Sequence, residues 1–198
     1  MILKKADLKL VLGNNSELYF PPEAWDFEVD GDGEMLANLL FDRMKELGGI
    51  GLSANQVSVP RRVFVIGMNE FRKAFFNPEI IRYSEVEATN EEGCLSFPGM
   101  FLMVKRPENI TIKYQNEKGE WFEEEYIGLS SKVIQHEYDH MQGMTFKSRV
   151  SSMKWNMATK KKDKKVKRII KEHVQKQLID IHKKMEQGKN VDNSTGVS

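Results

Sequence analysis

SKVIQHEYDHMQG, residues 131–143, is the stretch on which the fold turns. Read as a helix, it sets His136 and His140 a turn apart on a single face. Both imidazoles can then reach one metal ion, and Glu137, next in line, can address a water held there. Ser130 or Ser131 is the expected N-cap, and Gly143 the expected stop. The plainer alternative is two surface histidines on an ordinary helix, since so short a pattern also arises by chance. The chain has 4 histidines, and two of them fall in this pentapeptide.

An open catalytic metal site takes three protein ligands, so a third is needed. Downstream, Glu172, His173 and His182 sit in a basic stretch with no diagnostic spacing, and they read as solvated helix-face residues. Upstream lies the single cysteine, in Glu92-Gly93-Cys94-Leu95-Ser96. A thiolate is a strong ligand for a borderline or soft divalent metal. The competing reading is a small buried hydrophobe. A glycine before Cys94 and Ser-Phe-Pro-Gly shortly after it argue for a tight, shaped segment.

The remaining composition sets bounds. With 198 residues, 40% hydrophobic and 30% charged, the chain suits one ordinary domain with a real core. A net charge of +1 excludes a polyanion binder by bulk charge alone. One cysteine excludes an intramolecular disulfide and suits a reducing compartment. No secretory leader is visible behind the early lysines, and no run approaches the roughly 18 apolar residues of a membrane span. A cytoplasmic protein without membrane association is expected.

Working outward, Met35, Leu36, Leu39, Leu40, Met44 and Leu47 recur at three- and four-residue steps, which predicts a one-sided helix capped by Asp32 and stopped by Gly48-Gly49. Residues 50–56 read as a glycine-containing loop. RRVFVIGM, 61–68, reads as a strand, Asn77-Pro78 as a turn, and 85–88 as a short strand entering the cysteine segment. NITIKY and WFEEEYIG, joined by NEKG, predict a hairpin over 109–128. These elements lack regular β-α alternation. They imply an α+β fold, with mainly antiparallel sheets packed around the central metal-ligand helix. The division expected is a catalytic domain over 1–150, then a basic linker, an amphipathic helix and a polar, disordered tail over 151–198. The helix carries an apolar stripe at Ile169, Ile170, Val174, Leu178, Ile181 and Met185.

Three segments together, GIGLSANQ (49–56), EGCLS (92–96) and QHEYDH (135–140), resemble the signature motifs of peptide deformylases in order and approximate spacing. The resemblance covers roughly residues 1–150. It implies metal-dependent removal of the formyl group from the N-terminal formyl-methionine of new polypeptides, with release of formate. It further implies Cys94, His136 and His140 as metal ligands and Glu137 as general acid/base. Gln56 and the Leu95 backbone N–H would face the developing oxyanion. The Gly51 backbone would meet the formyl end, with Ile50, Val133 and His136 as candidate walls of a methionine pocket. Asp139 would support the ligand helix by accepting from a ligand histidine, and Glu92 with Arg106 would hold the cysteine loop. Fe²⁺ is the implied metal in the cell, with Zn²⁺, Ni²⁺ or Co²⁺ able to substitute.

The chain departs from the family pattern where Ser53 and Asn55 replace the usual Ala and Pro, neither expected to touch the metal. Asn55 gives up proline's fixed φ in the loop that carries Gln56. Phe101 stands where several bacterial members carry an arginine near the bound peptide. The basic C-terminal stretch suggests ribosome or RNA contact on an otherwise monomeric protein. Two other readings are a metalloprotease or amidase of different specificity, and a non-catalytic, metal-containing RNA-contacting module.

Overall fold

The computed structural model describes Lys4 and residues 7–68 and 71–192, with side chains to residue 179. Ile181, Met185 and His182 therefore lie outside the described side chains, and the end of the polar tail lies outside the described residues. The chain divides into two compact units, Met1–Trp155 and Asn156–Ser198.

The first unit is α+β. Helix α1 (Gly33–Glu46) is followed by strands β1 (Gly51–Ser53), β2 (Val63–Met68), β3 (Phe71–Tyr83), β4 (Glu87–Gly93), β5 (Phe101–Pro107), β6 (Asn109–Gln115) and β7 (Trp121–Ile127). Helix α2 (Gly128–Met141) closes the series. Five strands form an antiparallel sheet in the order β1-β2-β3-β6-β7, and β4 pairs with β5 in a separate antiparallel ribbon.

The large sheet is covered on both faces, which explains the uninterrupted apolar run of β2. Val63 and Val65 join Leu36, Leu40 and Met44 of α1 in one core. Phe64 and Ile66, alternating with them, join Phe75, Ile112 and Tyr114 against Val133, Ile134 and Met141 of α2. The helix bearing the two histidines is thus a core element. Asp32 caps α1 as expected, its carboxylate accepting from the Glu34 and Met35 backbones.

Four local expectations are corrected. Helix α2 starts at Gly128, whose φ of 58° suits glycine, and no side chain caps it. Ser131 instead accepts from Gln135 Nε2 at 3.0 Å. The loop expected over 50–56 contains β1 and a 3₁₀ turn, Ala54–Val57. Asn77-Pro78 is no turn: β3 runs through it with a bulge, and Asn77 takes a φ of 48° while its side chain satisfies the Trp25 backbone. The stretch read as a basic linker is helical, because α3 runs unbroken over Ser152–Asp192. Within the second unit, Ile169, Ile170, Val174 and Leu178 are exposed among lysines.

Candidate active site

Three separate segments meet at one end of α2. Cys94 follows the last residue of β4 and starts a turn in which the Phe97 N–H donates to its carbonyl at 2.9 Å. Gln56 sits in the 3₁₀ turn after β1. His136, Glu137 and His140 project from α2. Ligand atoms of Cys94, His136 and His140 lie within 4.8 Å of one another, and all three residues are buried.

These residues fit a metal. Cys94 Sγ and His140 Nε2 are 3.5 Å apart, about the ligand–ligand separation of a tetrahedral divalent ion. His136 Nδ1 is engaged by Glu92 Oε2 at 2.9 Å, which leaves Nε2 as the ligating nitrogen. Desolvation works against charging His136, yet Cys94 and Glu92 hold its pKa up to about 10. Burial, with the charge on His136, holds His140 well below its ordinary value. One sulfur and two nitrogens form a set for a borderline divalent ion.

The supporting partners differ from expectation in one respect. Glu92, not Asp139, engages a ligand histidine. Asp139 accepts instead from Arg106 Nη1 at 2.9 Å and from the Arg149 guanidinium, whose Nε is 3.0 Å away. Arg106, fully buried, also forks onto both oxygens of Glu92. A surface ion pair would contribute little, whereas this one is enclosed and joins β4, β5 and α2. Desolvation alone would raise the Glu92 pKa, but Arg106 and His136 bring it down to about 2.

Glu137 is buried beside the ligands, and desolvation raises its pKa. Its Oε2 accepts from Ser53 Oγ at 2.7 Å. Its Oε1 faces the Gly51 backbone so closely that a Cβ on Gly51 would stand 2.4 Å from it, with Val133 Cγ1 at 2.9 Å. A side chain at 51 would therefore have to push the Glu137 carboxylate aside. Gln56 is locked by its neighbours: its Oε1 accepts from the Ser53 N–H at 2.9 Å, and its Nε2 donates to Ser96 Oγ at 3.0 Å and toward Cys94 Sγ at 3.4 Å. Asn55, where a proline would have stiffened the loop, ties it to α2 by donating from Nδ2 to the His140 carbonyl at 3.0 Å.

Ile50, Gly51, Gln56, Cys94, Leu95, Val133, His136 and Glu137, all named from the sequence, line one cavity of about 550 Å³. His140 lies behind it, fully buried. Sequence reasoning missed Ser53 as a partner of Glu137 and Lys132 as a wall residue. For Ser53 the signal was the unusual hydroxyl in GIGLSANQ.

The chain is similar to known proteins of one family. The family model for polypeptide deformylase matches residues 9–156. A peptide deformylase of Pseudothermotoga lettingae is 46% identical over 118 residues, covering 60% of this chain and 68% of that protein. Among solved structures, a peptide deformylase from Synechococcus elongatus in complex with actinonin is similar at a TM-score of 0.74 and 32% identity, over 81% of this chain and 88% of that one. The Met-Ala-Ser-bound class I type b peptide deformylase from Acinetobacter baumannii is similar at a TM-score of 0.69 and 28% identity, over 72% of this chain and 98% of that one.

Proposed function

The chain belongs to the polypeptide deformylase family, and on that footing we propose that Cys94, His136 and His140 hold its metal, that Glu137 moves the protons, and that Gln56 and the Leu95 N–H receive the oxygen that gains charge. The enzyme is a metal-dependent hydrolase that removes the formyl group from N-terminal formyl-methionine, releasing formate. The observation that supports these roles is the buried sulfur and two nitrogens within 4.8 Å, beside a buried carboxylate in one cavity.

Cys94, His136 and His140 would hold a divalent ion, which would supply Lewis acidity toward water and the formyl carbonyl. Ser53 occupies Glu137 Oε2, so Oε1, the oxygen beside Gly51, takes the proton during attack. Desolvation makes Glu137 a stronger base than a solvated carboxylate, suited to work nearer neutral pH. It then returns the proton to the departing amine. Gln56 is held by Ser53 and Ser96, and the N–H it turns toward Cys94 Sγ is the donor that would pass to the oxyanion. Ile50, Gly51 and Val133 form the walls that seat the formyl-methionyl end.

Fe²⁺ is the proposed metal in the cell, with Zn²⁺, Ni²⁺ or Co²⁺ able to replace it. The catalytic domain is proposed to end near residue 150. The substrates are nascent chains, the protein works in the cytoplasm as a monomer, and the lysines of α3 contact ribosomal RNA. No helix among the described residues is long and apolar enough to cross a membrane. The full chain with Lys160, Lys161, Lys162, Lys164 and Lys165 changed to glutamate should lose ribosome co-sedimentation; unchanged sedimentation overturns the RNA contact.

The reaction test is formate release from formyl-Met-Ala-Ser by protein purified without oxygen and loaded with Fe²⁺ or Ni²⁺. Glu137→Gln should retain the metal and lose about 10²–10⁴ in rate. Undiminished release by Glu137→Gln would remove Glu137 from its role.

A further inference from the structure

In the cavity lined by Cys94, His136 and Glu137, α2 also contributes the apolar Leu129 and Val133, and the loop before β1 contributes Ile50. Lys132 breaks that pattern. It lies on α2 one turn before His136, lines the same cavity, and is only 5% exposed. Its Nζ donates to the carbonyls of Arg106 at 2.9 Å and Pro107 at 2.8 Å. Among the described residues no carboxylate lies within ion-pair distance of it. An ammonium carries three N–H donors, and two backbone carbonyls account for two of them. Asn90 of β4 is a further polar residue of the cavity lining.

We propose that Lys132 is a specificity-determining residue that makes the cavity favour formylated residues whose side chain ends in a lone-pair acceptor. The proposal rests on the deformylase reading and names the substrate feature this site selects. A purely apolar wall selects on length and shape. It treats thioether and methylene alike and rejects a polar end group, which would be buried without a partner. A wall bearing a buried donor reverses that order, because an acceptor satisfies the third N–H while a hydrocarbon end leaves it dry. Methionine, with its weak thioether acceptor, lies between norleucine, which has none, and methionine sulfoxide, which has a strong one.

The test uses the full, Ni²⁺-loaded enzyme and three peptides: formyl-Met-Ala-Ser, formyl-norleucyl-Ala-Ser and formyl-methionine-sulfoxide-Ala-Ser. The ratio of kcat/KM for sulfoxide over norleucine should exceed one in the wild type by about tenfold. Lys132→Met should bring it below one, and Lys132→Arg, which keeps charge and donors, should preserve it. Lys132 also bridges α2 to the end of β5, and loss of that bridge would slow all three peptides alike. The ratio is insensitive to such a loss, so a purely structural role leaves it unchanged. The same ratio in wild type and Lys132→Met, with activity retained, overturns the proposal while leaving the deformylase reading intact. No formate from any peptide with the wild type overturns that reading and this proposal with it.

Discussion

Ser53 and Glu137 meet through a single hydroxyl, which donates to Glu137 Oε2 at 2.7 Å and also lies 3.2 Å from the Glu137 backbone carbonyl. The contact joins β1 to α2 across the site and, on the role proposed for Glu137, leaves Oε1 as the oxygen that takes the proton. Ser53→Ala should lower kcat by about threefold and leave KM unchanged, because the bond orients the base and does not hold peptide. Steady-state kinetics on formyl-Met-Ala-Ser measures this; a change confined to KM would contradict it.

Gly51 has no room for a methyl group. Its Cβ would stand 2.4 Å from Glu137 Oε1 and 2.9 Å from Val133 Cγ1, so Gly51→Ala must displace the carboxylate. The expected loss in kcat is about 10²-fold, the usual cost of misplacing a reacting group by about an ångström. Metal content measured on the same sample should remain near one per chain.

Glu92 holds His136 by its Nδ1 and is itself clamped by Arg106. Glu92→Gln keeps the shape but weakens the hold on the ring. Metal affinity, read by competition with a chromophoric chelator, should fall about 10- to 100-fold.

The same carboxylate predicts an acid limit for the metal-free protein. Its folded pKa, about 2, lies below the ordinary value of 4.5. A depressed carboxylate stabilises the fold above its unfolded pKa, and that contribution disappears as pH falls from 4.5 toward about 2. The contribution is on the order of 3 kcal/mol. Urea midpoints between pH 6 and pH 3 should fall in the wild type and fall less in Glu92→Gln.

Much of this fold was legible because its signals are local. Asp32 before an apolar period marks the start of α1, and NEKG between alternating segments marks the β6–β7 hairpin. His136 and His140 share a face through helical geometry alone. Cys94 was reachable as the single thiol of the chain. What escaped depends on approach between distant segments. Ser53 lies 84 residues from Glu137, and no local rule joins them. The resemblance implies a ligand histidine as the partner of Asp139, yet Arg106 and Arg149 arrive from elsewhere and take both its oxygens. The bulge at Asn77 looked like a turn because Asn-Pro normally interrupts a strand, and only the Trp25 backbone it satisfies explains why β3 continues.

Helix α2 presents His136 and His140 to the candidate metal site and packs Ile134 and Met141 into the core against the sheet. Inheritance is therefore constrained unevenly around the cavity. A lineage adapting to new peptides has little freedom at His136, Glu137, His140, Ile134 and Met141 of α2, where changes threaten the site or the core. The opposite wall is freer: Phe101 is 58% exposed and Ile50 43%. Diversification among descendants of this enzyme should accumulate on that wall and at Lys132, around ligand-bearing and core positions of α2 that barely change.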